Sequence, residues 1–162
     1  MNVLDNAGIT MCTGNAGFAA DSTTTVTNAT AFNFCIDGKA YTKAITATIT
    51  TPTTDINTGN AFYSVKTNKG SIFLFGVDKT GAVKAMQGEI TDLDAGGAFI
   101  SAPEFPTTVA DGVCPFGYLV IKAGSTASAA GWVCGVNNMS GVTGITYTFV
   151  SIMSIPSRPQ IS

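Results

Sequence analysis

The chain has 162 residues, of which 45% are hydrophobic and only 11% are charged, and it carries a formal net charge of −2 with no histidine. This length suits one domain with a substantial core, and the hydrophobic content excludes a charged, disordered chain. The missing histidine excludes Ser-His-Asp triads and Cys-His nucleophile pairs, and eight scattered Lys and Arg residues argue against nucleic acid as a partner.

Residues 1–30 are predicted to form an N-terminal arm or an edge strand. They are rich in Gly, Ala, Asn and Thr, and residues 22–30 have high strand propensity and low helix propensity. No positively charged start followed by an apolar run marks a secretion signal, and no window approaches about 18 apolar residues. We therefore expect synthesis in a cytosol and no membrane partner.

A regular strand pattern begins at residue 31 and defines an all-β domain over residues 31–162. Alternation, bounded by turn signals such as Asp37-Gly38, predicts the strands, and the continuous apolar run at residues 71–77 predicts a central strand buried on both faces. The strand that returns after the Asp37-Gly38 turn is expected at residues 45–50. The predicted strands are residues 31–36, 45–50, 62–66, 71–77, 82–90, 116–122 and 145–155.

Prolines mark two segments that cannot be central strands. Pro103 and Pro106 bracket Phe105, and from about residue 156 the sequence Pro156-Ser-Arg-Pro159 predicts an extended tail. No stretch shows a helical stripe of twelve or more residues. The sequence therefore predicts a single antiparallel β-sandwich or barrel, jelly-roll-like, with an extended N-terminal arm and C-terminal tail.

The four cysteines, Cys12, Cys35, Cys114 and Cys134, are predicted to be small buried apolar residues. None forms a C-x-x-C pair, and without histidine there is no mixed zinc site. One or two disulfides remain open as an alternative. The candidate pair is Cys114 with Cys134, which flank one predicted strand–loop unit. We expect no metal and no cofactor.

The acidic residues give little support for catalysis. Asp92-Leu-Asp94 begins like a calcium loop, but it lacks the third acid, and Pro103 stands where the closing Glu would be. Glu89 and Glu104, the only glutamates, are the carboxylate pair that a glycoside hydrolase would need. Turn chemistry accounts for most aspartates, so we predict no catalytic residue and no enzymatic activity.

Two further features bear on binding. Trp132, the single tryptophan, is expected to anchor the core, although Trp132, Tyr118 and Tyr147 are the candidates for an aromatic binding surface. Arg158 is the only arginine, and it lies between prolines. Pro156, Arg158 and Pro159 are therefore the candidate partner interface, the alternative being a plain chain end.

Several segments resemble small virion proteins of tailed bacteriophages, of the kind that decorate or cement the outside of the head. They are residues 34–41, 78–81, 86–88, 105–106, 115–121 and 156–159. The resemblance implies an all-β fold, self-association as a trimer, a major capsid protein as partner, and a place on the capsid surface of the virion after synthesis in the host cytoplasm. The alternative is a receptor- or glycan-binding module of a phage head or tail fibre.

Overall fold

The computed structural model describes residues 10–21, 23–156 and 159–161, and within these residues the chain forms strands and no helix. Accordingly, this part of the chain holds no helix long and apolar enough to cross a membrane. The strands are β1 Met11–Cys12, β2 Phe18–Ala20, β3 Thr25–Asn28, β4 Phe32–Ile36, β5 Lys39–Lys43, β6 Thr46–Thr50, β7 Lys69–Asp78, β8 Val83–Gln87, β9 Thr91–Asp92, β10 Val113–Ala123 and β11 Ile145–Ser151.

The strands form three antiparallel sheets. The central sheet has the order β11-β10-β7-β8, with β9 also paired to β7, and the two smaller sheets have the orders β1-β4-β5 and β2-β3-β6. The all-β prediction is confirmed, and these layers are consistent with a β-sandwich. The described strands do not close into a barrel.

The central pair β7 and β10 runs in register from Val113 opposite Asp78 to Ala123 opposite Lys69, with one shift between Pro115 and Gly117. Proline has no N–H to donate to a ladder, and a β-bulge is one of the few places where a strand tolerates it. The bulge therefore lets this strand keep its pairing on both sides of Pro115.

The Asp37-Gly38 turn forms as predicted, but it leads into a different strand. Both residues have positive φ, 50° and 74°, as a two-residue hairpin turn requires, and Ile36 pairs with Lys39. The returning strand is β5, whereas the predicted strand at residues 45–50 corresponds to β6 in another sheet. The chain changes sheets directly after Lys43.

Both faces of the central sheet are covered, which confirms the doubly buried strand predicted at residues 71–77. On one face Phe73 and Phe75 enter the larger core together with Trp132 and the inner residues of the two small sheets. On the other face Ile72 and Leu74 enter a second, smaller core. Alternate residues of a strand point to opposite faces, so one strand supplies both cores.

An irregular segment, residues 93–112, covers the second face. Phe99 and Phe105 pack against the smaller core. The approach is close: a Cβ on Gly88 would lie 2.4 Å from the carbonyl oxygen of Glu104, and one on Gly70 would lie 2.4 Å from the Phe99 ring. The proline-rich stretch is therefore a packed covering segment without regular strand pairing, as its prolines predicted.

Residues 10–30 contribute three strands to the sheets. Strands β1 and β2 stand at the edges of their sheets, in line with the edge strand expected in this region, whereas β3 does not. Strand β3 pairs with β2 on one side and β6 on the other, so it is not an edge. Cys12, Phe18 and Val26 are buried, and burial of these apolar side chains holds the segment in place. Residues 1–9 and Ser22 lie outside the described part.

The strand predicted at residues 62–66 does not form. Val65 instead makes a single bridge to Trp132, with N–H to carbonyl distances of 2.8 and 2.9 Å in the two directions. The last strand, β11, ends at Ser151 rather than at residue 155. The chain leaves the sheet after Ser151, and residues 153–155 line a cleft at the surface.

Candidate functional site

A cleft of about 760 Å³ lies where the start of β1 and the residues that follow β11 meet the covering segment. Its walls come from the start of β1, the Asp37-Gly38 turn, residues 109–115 at the entry to β10, and residues 153–155 after β11. The Cys12 N–H donates to the carbonyl of Met153 at 3.3 Å, and the Ile152 N–H donates to that of Phe116 at 2.9 Å. The first bond holds β1 beside the residues that follow β11, and the second holds those residues against β10.

Large apolar side chains are exposed along this cleft. Met11 is 45% exposed, Met153 is 56% exposed and Ile155 is 39% exposed. They come from opposite ends of the sequence and meet only because β1 lies beside the chain that follows β11. Exposed apolar side chains gathered in one place are typical of a binding surface, whereas scattered ones are ordinary.

The same cleft holds two carboxylates, Asp37 and Asp111. Both residues are exposed, and neither side chain makes a hydrogen bond or an ion pair within the described part of the chain. No lysine or arginine lines the cleft there. The cleft therefore combines exposed apolar side chains with two carboxylates that have no partner within the described part of the chain.

The three candidate interface residues are placed differently. Pro156 is exposed and directly follows Ile155 at the edge of the cleft, whereas Pro159 is half-buried. The N–H of Gln160 donates to the hydroxyl of Tyr118 at 2.7 Å, which holds the chain end against the central sheet. Arg158 lies outside the described residues.

The aspartates near the suspected calcium loop are engaged in local contacts. Asp92 forms an ion pair with Lys69, and one oxygen of Asp94 accepts the N–H groups of Gly96 and Ala98, each at 2.8 Å. Among the described residues, no group of three or more Cys, Asp and Glu is arranged to hold a metal ion. These contacts fit the interpretation of Asp92 and Asp94 as turn and surface acids.

The surroundings of Asp78 shift the pKa of its carboxyl group. Burial raises its pKa, but hydrogen bonds from Thr80 and Ala82 and the positive charge of Lys84 outweigh that effect, so the pKa is lowered overall. Its carboxylate closes the turn between β7 and β8 by accepting the N–H groups of Thr80 and Ala82. Its role is therefore structural.

The two glutamates lie on neighbouring segments, since the Glu104 backbone approaches Gly88, the residue before Glu89. Both side chains are exposed, and neither residue lines the cleft.

Two of the three aromatic candidates are buried. Trp132 and Tyr118 are each 1% exposed, which confirms Trp132 as a core anchor. The indole N–H of Trp132 and the hydroxyl of Tyr147 both donate to the carbonyl of Asn138, at 2.9 and 3.0 Å, and burial raises the pKa of Tyr147. Neither Trp132 nor Tyr118 presents a ring face on which a sugar can stack.

All four cysteines are free thiols, so the candidate Cys114–Cys134 disulfide does not form. Burial, and then the nearby thiol of Cys12, raise the pKa of Cys114 to about 12. Burial also raises the pKa of Cys134 and of Cys12. Three of the thiols therefore behave as small apolar core residues, as predicted.

Sequence reasoning missed the residues that form the cleft. Asp37 and Asp111 each precede a glycine, a sequence typical of turns, and such a sequence carries no information about what lies beside the turn. Met11 and Met153 share no motif or period. Only the packing of β1 against the chain end brings them together.

Chemically, the cleft is suited to holding another molecule. It offers apolar contact and unpaired negative charge, without a nucleophile–base pair among its described residues. The chain matches no known family model, and no curated protein or solved structure is significantly similar to it.

Proposed function

We propose that this chain is a non-enzymatic structural protein that binds the outside of a tailed-phage capsid and stabilises it. The observation that supports this most is the cleft at which Met11, Met153 and Ile155 meet with exposed apolar surface. When a protein partner covers an exposed apolar surface, water leaves that surface and the free energy of the complex is lowered. The partner in this proposal is the major capsid protein.

The distribution of charge supports the same proposal. Residues 123–157 contain no Asp, Glu, Lys or Arg, and strand β11 within them lies at the edge of the central sheet with most of its residues half-buried. Burying such a surface against another copy leaves no charge to desolvate. We place the contact between copies at β11, in a trimer as the virion-protein resemblance implies.

In this proposal the protein acts by bridging neighbouring capsid subunits. Each copy binds across the interface between two capsid subunits. The free energy of this binding adds to the work that internal genome pressure must do to separate the two subunits. No cofactor or chemical step is involved. The place of action is the capsid surface of the virion, after synthesis in the host cytoplasm.

Deleting the gene from the phage that encodes this chain, and heating the purified heads, tests the proposal. We expect heads without the protein to release DNA at a lower temperature, and purified protein added back to restore the wild-type value. Heads equally stable with and without it would contradict the cement role. Immunogold label over the tail alone would instead favour the receptor- or glycan-binding module.

A further inference from the structure

The cleft combines two features that together restrict what it can bind. Its large exposed apolar side chains are those of Met11, Met153 and Ile155, and its carboxylates are those of Asp37 and Asp111. No described basic side chain lines it, and neither carboxylate is paired within the described chain. A neutral or acidic occupant would leave those charges uncompensated.

We propose that the cleft binds a short protein segment that carries a lysine or arginine flanked by apolar side chains. The cation pairs with Asp37 and Asp111, and its apolar neighbours cover the two methionines and Ile155. This inference rests on the proposed function in that the segment belongs to the capsid protein. The preference for basic, apolar sequence is a property of the cleft itself.

The size of the site agrees with this occupant. A cleft of about 760 Å³ falls within the roughly 300–1,000 Å³ typical of sites that enclose small ligands, so it holds a few side chains and not a folded surface. Methionine side chains are flexible and polarisable, and they adapt to apolar partners of different shape. The two carboxylates then select the charge of the segment, while Met11 and Met153 tolerate variation in its apolar residues.

The chain offers well-matched variants for a test. Asp37 has a positive φ of 50°, a conformation that Asn tolerates well, so D37N removes the charge without straining the turn. Asp111 also stands before a glycine, in a turn. The double variant D37N/D111N is compared with E89Q/E104Q, which removes two negative charges from exposed positions outside the cleft.

The test is a selection of random nine-residue peptides on the immobilised wild-type protein. We expect the enriched peptides to carry Lys or Arg next to aliphatic or aromatic residues. They should bind D37N/D111N about tenfold more weakly and E89Q/E104Q like wild type. The affinity should fall as salt rises in wild type and in E89Q/E104Q, but much less in D37N/D111N. Enrichment without basic residues, equal binding by D37N/D111N, or no enrichment would overturn the inference.

Binding of the same three proteins to heads that lack the wild-type protein separates this inference from the proposed function. If D37N/D111N binds heads as tightly as wild type does, the cleft inference fails and the decoration role stands. If wild type binds no heads while the peptide preference holds, the decoration role fails and the chemistry of the cleft stands.

Discussion

The two faces of the central sheet are covered in different ways. On one face, strands of the two small sheets bring Phe18, Phe32 and Phe34 against Phe75 and Phe116 in a continuous aromatic core. On the other, residues 93–112 cover a smaller core without regular strand pairing, apart from isolated contacts. The cleft opens where this irregular cover ends against β1 and the β4–β5 turn, so both kinds of covering contribute residues to the candidate site.

The largest expected effect is on the strand-covered face. Phe73 is fully buried, with its ring 5.5 Å from that of Phe62 and 5.6 Å from that of Trp132. We expect Phe73→Ala to lower the free energy of unfolding by about 3–5 kcal/mol in urea titrations, through lost contact and a residual cavity. Exposed Lys79→Ala serves as the control and should change it little. A loss below about 1 kcal/mol for Phe73→Ala would contradict the packing described.

Gly88→Ala tests how tightly the irregular segment packs on the other face. A Cβ at this position would lie 2.4 Å from the Glu104 carbonyl oxygen, so the covering segment must move. We expect a loss of about 1–3 kcal/mol in the free energy of unfolding and faster proteolysis within residues 93–112.

Gly124→Ala is the matched control, because a Cβ there meets only the Gly144 carbonyl oxygen at an ordinary 3.6 Å and its φ is not positive. It should be neutral or slightly stabilising. If the two alanine variants were equally stable, the close approach of the cover to Gly88 would be wrong.

Tyr118→Phe tests how the chain end is held on the second face. The buried Tyr118 hydroxyl accepts the N–H of Gln160 at 2.7 Å, and a phenylalanine keeps the ring but loses that bond. We expect a cost of about 1 kcal/mol and faster hydrogen exchange at the Gln160 amide, with exchange in β10 unchanged. An unchanged Gln160 exchange rate would mean that this bond does not hold the chain end.

A pH dependence of stability is expected from the thiols on the strand-covered face. The pKa of Cys114 is about 12 in the folded chain and near 9.0 when unperturbed. An acid with a raised folded pKa contributes stability that is fully present below the unfolded pKa and is lost as pH rises towards the folded one. Stability in urea should therefore fall between about pH 9 and pH 12.

Cys114→Ala supplies the control for this pH dependence. The variant loses the Cys114 contribution, so its stability should fall less steeply over the same pH range.

In the native protein at pH 8, half-exposed Cys35 should react with a thiol reagent before the three buried thiols. Equal reaction of all four thiols would contradict their burial.

The sequence predicted features that carry local signals better than it predicted which strands pair. The apolar run at residues 71–77 and the Asp37-Gly38 turn carry local signals, namely continuous hydrophobicity and a turn that needs positive φ, and both appear in the structure. The placement of β6 in a separate sheet and of β3 between two strands depends on long-range pairing. Alternating short strands do not encode their partners.

The cleft lay beyond prediction for a similar reason. Its carboxylates occur in ordinary turn sequences, and its methionines become neighbours only through the Cys12–Met153 backbone bond. By contrast, burial of Trp132 follows from its size and apolar area, which is why its role as a core anchor could be predicted.

Oxidation of methionines by dilute hydrogen peroxide, read by mass spectrometry, tests most directly whether the cleft is the surface that docks on the capsid. In the free protein, exposed Met11 and Met153 should oxidise rapidly, whereas Met86 and Met139, both fully buried, should oxidise slowly and serve as internal controls. On capsids, we predict that Met11 and Met153 become protected while Met86 and Met139 do not change. Oxidation of Met11 and Met153 at the free rate in capsid-bound protein would contradict the account.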